Sequence, residues 1–330
     1  MDNNFDNSNI SGVYSLNELK SEQTPIKKAE PILELDVLPF PDWDQMRPDT
    51  YPVAPLGVFI KKHPIATIIT SRGCPYPCKF CATPSFYNRK IRFRSAENVV
   101  DEIKLLVNKH HAKEISFMDD NLTFNRQFVI NLCELMLKNN IKVPWSCPNG
   151  IRADKIDDDL IKIMKKAGFY SCGLGIESAN TQILKNTNKK EDMDVIENAI
   201  RILRKYRIEV CGFFILGLPG ETKETIQETI QFALKSNLTR ANFDILSVMP
   251  GCELFGELYG DIVLDFADLY RKPNYVPAGL TAEELMTAQS TATKKFYLRF
   301  SILLNCMRYI ELSYLKRLIK KLKGYHIFEK

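Results

Sequence analysis

The stretch Ala66-Thr67-Ile68-Ile69-Thr70-Ser71-Arg72-Gly73-Cys74-Pro75-Tyr76-Pro77-Cys78-Lys79-Phe80-Cys81 changes character in the middle. Its first five residues are β-branched or small and apolar, the composition of a short buried strand. A glycine and two prolines then keep the remainder in a loop. That loop carries three cysteines, with three residues between the first two and two between the last two.

Three thiolates this close suit a soft iron–sulfur centre, and a tight loop can bring all of them to one cubane. A structural zinc site wants four ligands, usually as two close pairs, and the sequence has no second pair. Cys133, Cys147, Cys172, Cys211, Cys252 and Cys306 are singletons, mostly within apolar runs, and read as small core residues. On this reading the triplet holds a [4Fe-4S] cluster whose fourth iron has no protein ligand. A four-cysteine electron carrier would lack that open position.

Beyond the loop a rhythm repeats. β-type runs fall at 66–70, 114–118, 142–147, 170–176, 208–216 and 242–248. Helical patterns follow the first five, at 96–109, 126–139, 158–166, 193–206 and 222–235. Ser95 is placed to cap the first helix and Gly168 to stop the third. Strand starts mostly about 30 to 40 residues apart indicate βα units and a parallel sheet. The fold class expected is α/β, a partial (β/α)6 TIM-like barrel with a C-terminal helical extension, its reactive groups at the C-terminal strand ends. The chain divides into a polar, disordered N-terminus (1–30), a Pro-rich connector (31–66), a core (67–255) and a basic, mostly helical extension (256–330).

Charge and composition limit the alternatives. The 330 residues are 45% hydrophobic and 26% charged, an ordinary globular balance. No apolar run approaches the 18 or so residues of a membrane span. Nine cysteines and an Asn- and Asp-rich start, unlike a signal peptide, point to a reducing cytoplasm. From Lys294 onward the chain carries +8 of a total of +5, leaving −3 for the rest, so no nucleic-acid partner is expected. That basic stretch is interleaved with Phe296, Tyr297, Phe300, Tyr309 and Tyr314. It reads first as a helix packed on its own domain, and second as a weak contact with a membrane surface.

The pattern Cys-x3-Cys-x-aromatic-Cys after the first strand of such a barrel resembles the radical S-adenosylmethionine (SAM) superfamily. The wider string resembles its subgroup that usually carries an N-terminal cobalamin-binding domain, which includes anaerobic magnesium-protoporphyrin ester cyclase and hopanoid methylases. The resemblance covers roughly residues 33–290, judged from motif positions along the βα units. It implies a [4Fe-4S] cluster on Cys74, Cys78 and Cys81, and SAM on its open iron. Reductive cleavage of SAM to a 5′-deoxyadenosyl radical would follow, with an electron donor such as a flavodoxin or ferredoxin. Two other readings stay open: a non-enzymatic iron–sulfur protein and a truncated, inactive family member.

The same resemblance places site residues at strand ends. One of Asp119 and Asp120 would meet the amino group of SAM, with an N-cap or solvated loop as the alternative. Arg152, beyond Asn149, would grip its carboxylate, or would be a surface Arg paired with Asp154 or Asp157. Glu177 and Ser178, after Gly173 and Gly175, would approach the amino or ribose groups. Ile215, Gly217, Met249 and Phe80 would wall the adenine. Relatives normally begin with a cobalamin-binding domain bearing Asp-x-His-x-x-Gly. None of His63, His110, His111 and His326 lies in that pattern. Cobalamin is therefore expected not to bind this chain alone, and a separate cobalamin-binding protein becomes a candidate partner. The chain then reads as a fragment, half of a split protein, or a cobalamin-free descendant.

Overall fold

The structure, a computed structural model, describes residues 13–14, 29–51, 60–260 and 273–307. Strand β1 (Ile65–Ile68) leads to a two-residue strand β2 (Ser71–Arg72), which pairs antiparallel with β3 (Arg92–Phe93). Between β2 and β3 run the cysteine loop and a one-turn helix α1 (Thr83–Phe86). The βα units continue as α2 (Ala96–Asn108), β4 (Glu114–Phe117), α3 (Arg126–Lys138), β5 (Trp145–Ile151), α4 (Asp158–Lys166) and β6 (Phe169–Glu177). Two helices follow β6, α5 (Thr181–Asn186) and α6 (Met193–Lys205), before β7 (Glu209–Leu216), α7 (Lys223–Lys235) and β8 (Arg240–Ile245). The described chain closes with α8 (Glu253–Tyr259), α9 (Ala282–Tyr297) and α10 (Phe300–Met307).

Strands β1, β4, β5, β6, β7 and β8 form one parallel sheet in that order, so every strand lies beside its sequence neighbour. Among the described residues β1 and β8 remain edges and the barrel is open. Local chemistry sets the boundaries. Ser95 accepts a hydrogen bond from the Asn98 amide at the start of α2, and Asn125 and Asp157 cap α3 and α4 in the same way. Gly168 ends α4 at φ +107°, a conformation that costs glycine nothing. Strand β5 starts at Trp145 and runs to Ile151, whereas the run at 142–147 was expected to be the strand. Pro144 has no N–H for a ladder bond, which delays the start.

Alternation along the strands gives the sheet two different faces. Ile115, Phe117, Val210, Gly212, Phe214, Leu216, Ala241 and Phe243 are covered by the helices. Phe214 and Phe243 stack at 5.1 Å, and Phe296 of α9 meets Phe243 edge-on. Tyr297 of α9 donates its hydroxyl to the Ala241 carbonyl at 2.9 Å, so α9 seals the β8 side. On the concave face Cys211, Phe213 and Ile215 are only half-buried, and Asn242 and Asp244 are exposed. The connector is held by Trp43, which is buried and donates Nε1–H to Glu102 of α2 at 3.0 Å.

Candidate active site

The cysteine loop is fastened by the chain's own residues. Gly73 sits at φ +100°, and a Cβ there would come 2.2 Å from the Lys90 carbonyl oxygen, so only glycine allows this approach to the β3 side. Asp119 is buried and spends its carboxylate on the chain leaving β1. Oδ1 accepts from Ser71 N (2.5 Å), Ser71 Oγ (2.6 Å), Thr70 Oγ1 (2.8 Å) and Thr70 N (3.1 Å). Further along, the Lys79 amide donates to the Thr187 carbonyl at 3.0 Å, and its carbonyl accepts from Leu254 N at 2.9 Å.

At the C-terminal strand ends lies a cavity of about 320 Å³. Cys74, Cys78 and Cys81 line it together with Phe80, Asp120, Asn149, Arg152, Gly175, Glu177, Lys189 and Phe213. Among the described residues no three Cys, His, Asp or Glu side chains converge as they would around one ion. The three thiols instead stand around a shared space, which suits a cluster whose thiolates bind separate irons. Burial raises the Cys74 thiol and pushes Cys78 up to about 11, against the pull of Lys189 and Arg152. Those two cations are the compensation a bound thiolate needs. The residues present therefore fit the cluster.

Behind the thiols runs a buried ion network. Lys189 Nζ lies 3.0 Å from Glu177 and 3.4 Å from Glu191. Arg152 pairs with Asp154 at 3.0 Å and Glu191 at 3.7 Å, and donates to the Lys189 and Lys190 carbonyls. Its guanidinium also stacks 3.7 Å from the Tyr76 ring, inside the cysteine loop. A Cβ on Gly175 would come 2.7 Å from Glu177 Oε1 and 2.9 Å from Lys189 Nζ, so the glycine makes room for this pair. Glu177 itself holds φ +66° where the β6–β7 register slips, a conformation that costs a non-glycine residue of order 1–3 kcal/mol.

The candidate residues are thus divided. Phe80, Asp120, Asn149, Arg152 and Glu177 share the cavity with the cysteines. Asp120 is exposed, and burial of its surroundings raises its carboxyl while the Gly73 amide opposes this. Asp119 does not face the cavity; its role is to pin β1 and β2, because adjacent residues at a strand end turn to opposite sides. Ser178 is also withdrawn: its hydroxyl meets Thr229 at 3.3 Å and accepts from the Asn180 amide. Arg152 is no surface residue, and Asp157 is taken by Arg126 instead. Ile215, Gly217 and Met249 lie outside the cavity lining. Gly217 faces Leu285 of α9, at 3.1 Å from a Cβ placed there.

Sequence reading missed Lys189, Glu191 and Glu221. Lys189 and Glu191 belong to the run Lys189-Lys190-Glu191 after α5; both are buried while Lys190 between them is exposed, and that burial is invisible in one sequence. Glu221 folds back on the turn after β7 and accepts from Gly217 N (2.6 Å) and Leu218 N (3.0 Å). The other oxygen of this buried carboxyl has no partner, and burial pushes the group up to about 7.

An open parallel barrel with three thiols, two buried cations and acidic groups at its C-terminal mouth defines an iron–sulfur radical enzyme core. Residues 68–233, about half of the chain, match the model of the Radical SAM superfamily, and the chain belongs to that family, whose members use a [4Fe-4S] cluster and SAM. It is 34% identical over 267 residues to the anaerobic magnesium-protoporphyrin IX monomethyl ester cyclase of Cereibacter sphaeroides, covering 78% of this chain and 42% of the cyclase. It is 27% identical over 300 residues to an uncharacterized methyltransferase of Pyrococcus horikoshii, covering 89% and 63% respectively. The chain thus spans roughly two fifths to two thirds of the length of these relatives. Among solved structures the fold resembles TsrM of Kitasatospora setae, a radical SAM methyltransferase with cobalamin and a [4Fe-4S] cluster bound. The TM-score is 0.54 and the identity 19%, over 59% of this chain and 36% of TsrM.

Proposed function

We propose that this chain is the catalytic core of a radical SAM enzyme, with Cys74, Cys78 and Cys81 as the three ligands of its [4Fe-4S] cluster. The observation that carries the reading is that the three thiols share one cavity with Asp120, Glu177 and Lys189 at the mouth of the barrel. When bound, the cluster supplies one electron that breaks a carbon–sulfur bond of SAM and yields a 5′-deoxyadenosyl radical. Asp120, which also meets the Gly73 amide, is the carboxylate for the ammonium of SAM, by charge-assisted hydrogen bonding. Lys189 and Arg152 offset negative charge at the thiolates, and Arg152 holds Tyr76 and so the loop. The cluster's one-electron donor is a flavodoxin or ferredoxin. The concave face bearing Phe213, Asn242 and Asp244 is the surface for the substrate, beside the site where the radical forms.

None of His63, His110 and His111 lines the cavity, and none lies in the Asp-x-His-x-x-Gly pattern of a cobalamin-binding domain. Methyl transfer through cobalamin then calls for a separate cobalamin-binding protein or segment. Anaerobic reconstitution, reduction with dithionite and mass spectrometry of the products test the proposal. The expected product of SAM is 5′-deoxyadenosine, and an intact cluster that yields none would overturn it.

Contact with an anionic membrane is a second reading, carried by α10 and its approach. Leu298 and Phe300 are 72% and 75% exposed, beside Lys294 and Lys295, whereas Phe296 and Tyr297 pack on β8. Among the described residues no helix is long and apolar enough to cross a membrane. Tyr309, Tyr314 and the basic residues from Arg308 onward lie outside the described residues. Sedimentation with anionic vesicles should lose the protein from the pellet when residues 294–330 are removed; equal recovery of both forms would refute this reading.

A further inference from the structure

The segment from Ser71 to Arg94, which wraps the cluster site, contains six Arg and Lys residues and no Asp or Glu. It is, with the stretch from Lys294 onward, one of two strongly basic parts of the chain. Arg94 is committed to Glu102 at 2.5 Å, and Lys79 to Glu257 at 2.5 Å. Arg89 lies 3.4 Å from Glu253, with 59% of its side chain exposed. Among the described residues Arg72, Lys90 and Arg92 have no carboxylate partner, and Arg92 donates to the Ile32 carbonyl.

Arg89, Lys90 and Arg92 follow closely on an aromatic projection. Phe86 is 80% exposed at the end of α1, and meets Tyr87 edge-on at 4.9 Å. Arg92 lies over the Tyr87 ring at 5.8 Å. Asn88 and Arg89 follow in the left-handed region, at φ +51° and +54°, and turn the chain sharply back toward β3. One exposed phenylalanine means little by itself. This one stands at the tip of a single helical turn whose first residue, Thr83, lines the cavity with the cysteines. At about 1.5 Å of rise per residue, three residues of helix separate that lining from the surface by roughly 5 Å.

We propose that Phe86, Arg89 and Lys90, with Arg72 and Arg92 behind them, form the docking surface for an acidic one-electron carrier protein that reduces the cluster. A positive rim steers a negative partner, and an exposed aromatic gives the small apolar centre that such an interface needs. Redox encounters sit at the small end of interface sizes, so a patch of a few residues is sufficient. One electron leaves the carrier's reduced flavin or iron–sulfur centre and enters the cluster; the carrier is oxidised by one electron and no bond is made. The inference rests on the radical SAM reading and adds where its electron enters.

The test uses the full chain with its cluster reconstituted, and reduced bacterial flavodoxin and plant-type ferredoxin as probes. Affinity is measured by titration at low and moderate ionic strength, and cluster reduction by stopped-flow absorbance. Arg89→Glu/Lys90→Glu should weaken binding of at least one carrier tenfold or more and slow reduction by it in proportion. Phe86→Ala should slow it several-fold, and added salt should weaken the wild-type complex. Reduction by dithionite should be unchanged in every variant. Lys138→Glu, an exposed charge at the far end of α3, should behave as wild type. The proposal is overturned if neither carrier binds, if the double reversal leaves affinity intact, or if reduction by dithionite falls equally. The titration needs no SAM. A chain that docks the carrier but makes no 5′-deoxyadenosine would refute the catalytic reading and leave the docking surface standing.

Discussion

Lys189 is buried with its ammonium 3.0 Å from Glu177, twelve residues earlier in the chain and on the other side of α5. The pair joins the end of β6 to the segment that backs the cysteine loop, and Glu191 at 3.4 Å completes it. Burial disfavours the ammonium, but the two carboxylates outweigh this and hold it well above the usual lysine range. A network of this kind is a poor source of net stability, yet breaking it on one side is costly because a charge is left buried alone.

Lys189→Ala should therefore destabilise the fold by about 3–5 kcal/mol, since it strands Glu177 and leaves Glu191 with Arg152 as its remaining cation. Chemical denaturation of the cluster-free protein measures this. A change below about 1 kcal/mol, the level of an exposed pair, would show that water reaches the network.

The two neighbouring aspartates should separate by phenotype. Asp119→Asn disturbs an oxygen that takes four hydrogen bonds from Thr70 and Ser71, and leaving buried donors unpaired costs about 1–3 kcal/mol each. Lower stability and reduced iron content are expected. Asp120→Ala should keep both and weaken SAM binding, read by equilibrium dialysis. Reversed phenotypes would show that the roles have been exchanged.

This division also marks what a single sequence can tell. The strands, helices and cysteine loop were legible because they rest on local rules: alternation at Val210–Leu216, a cap at Ser95, a left-handed stop at Gly168. The site was legible only as far as strand ends identify it. Two adjacent carboxylates look alike in sequence, and only the turn of the backbone sends Asp119 inward to Thr70 and Ser71 and Asp120 to the cavity. Arg152 was open between SAM and Asp154 or Asp157, because the buried Glu191 that shares it lies 39 residues away. Gly175 suggested room for a ligand, and the room is filled by Glu177 and Lys189.

Glu221 gives a pH signature. Burial pushes its carboxyl up to about 7, although the Gly217 and Leu218 amides oppose this. With the folded value above the ordinary carboxylate range, the native state holds the proton more tightly than the unfolded chain. Its contribution is complete below about pH 4.3, the unperturbed glutamate value, and is lost as pH rises through about 7. Wild type should lose stability between pH 5 and pH 8 relative to Glu221→Gln, which cannot ionise. Parallel thermal unfolding curves for the two proteins across that range would refute the assignment.

The cysteine assignment gives the sharpest separation. Cys147 and Cys172 are 2% and 1% exposed and belong to the core beneath the helices, on the face away from the cavity. Burial raises both thiols far above the ordinary range, so neither is poised to become a ligand. Cys74, Cys78 and Cys81 are all partly open and line the cavity. Anaerobically reconstituted wild type should carry about four irons per chain, the content of one [4Fe-4S] cluster. Cys74→Ala, Cys78→Ala and Cys81→Ala should each lose the cluster's visible absorption while retaining a cooperative unfolding transition. Cys147→Ala and Cys172→Ala should keep the iron and lose only stability, since each leaves a small cavity in a packed core. Loss of the cluster in either buried variant, with the fold intact, would mean that the ligand set reaches beyond the loop.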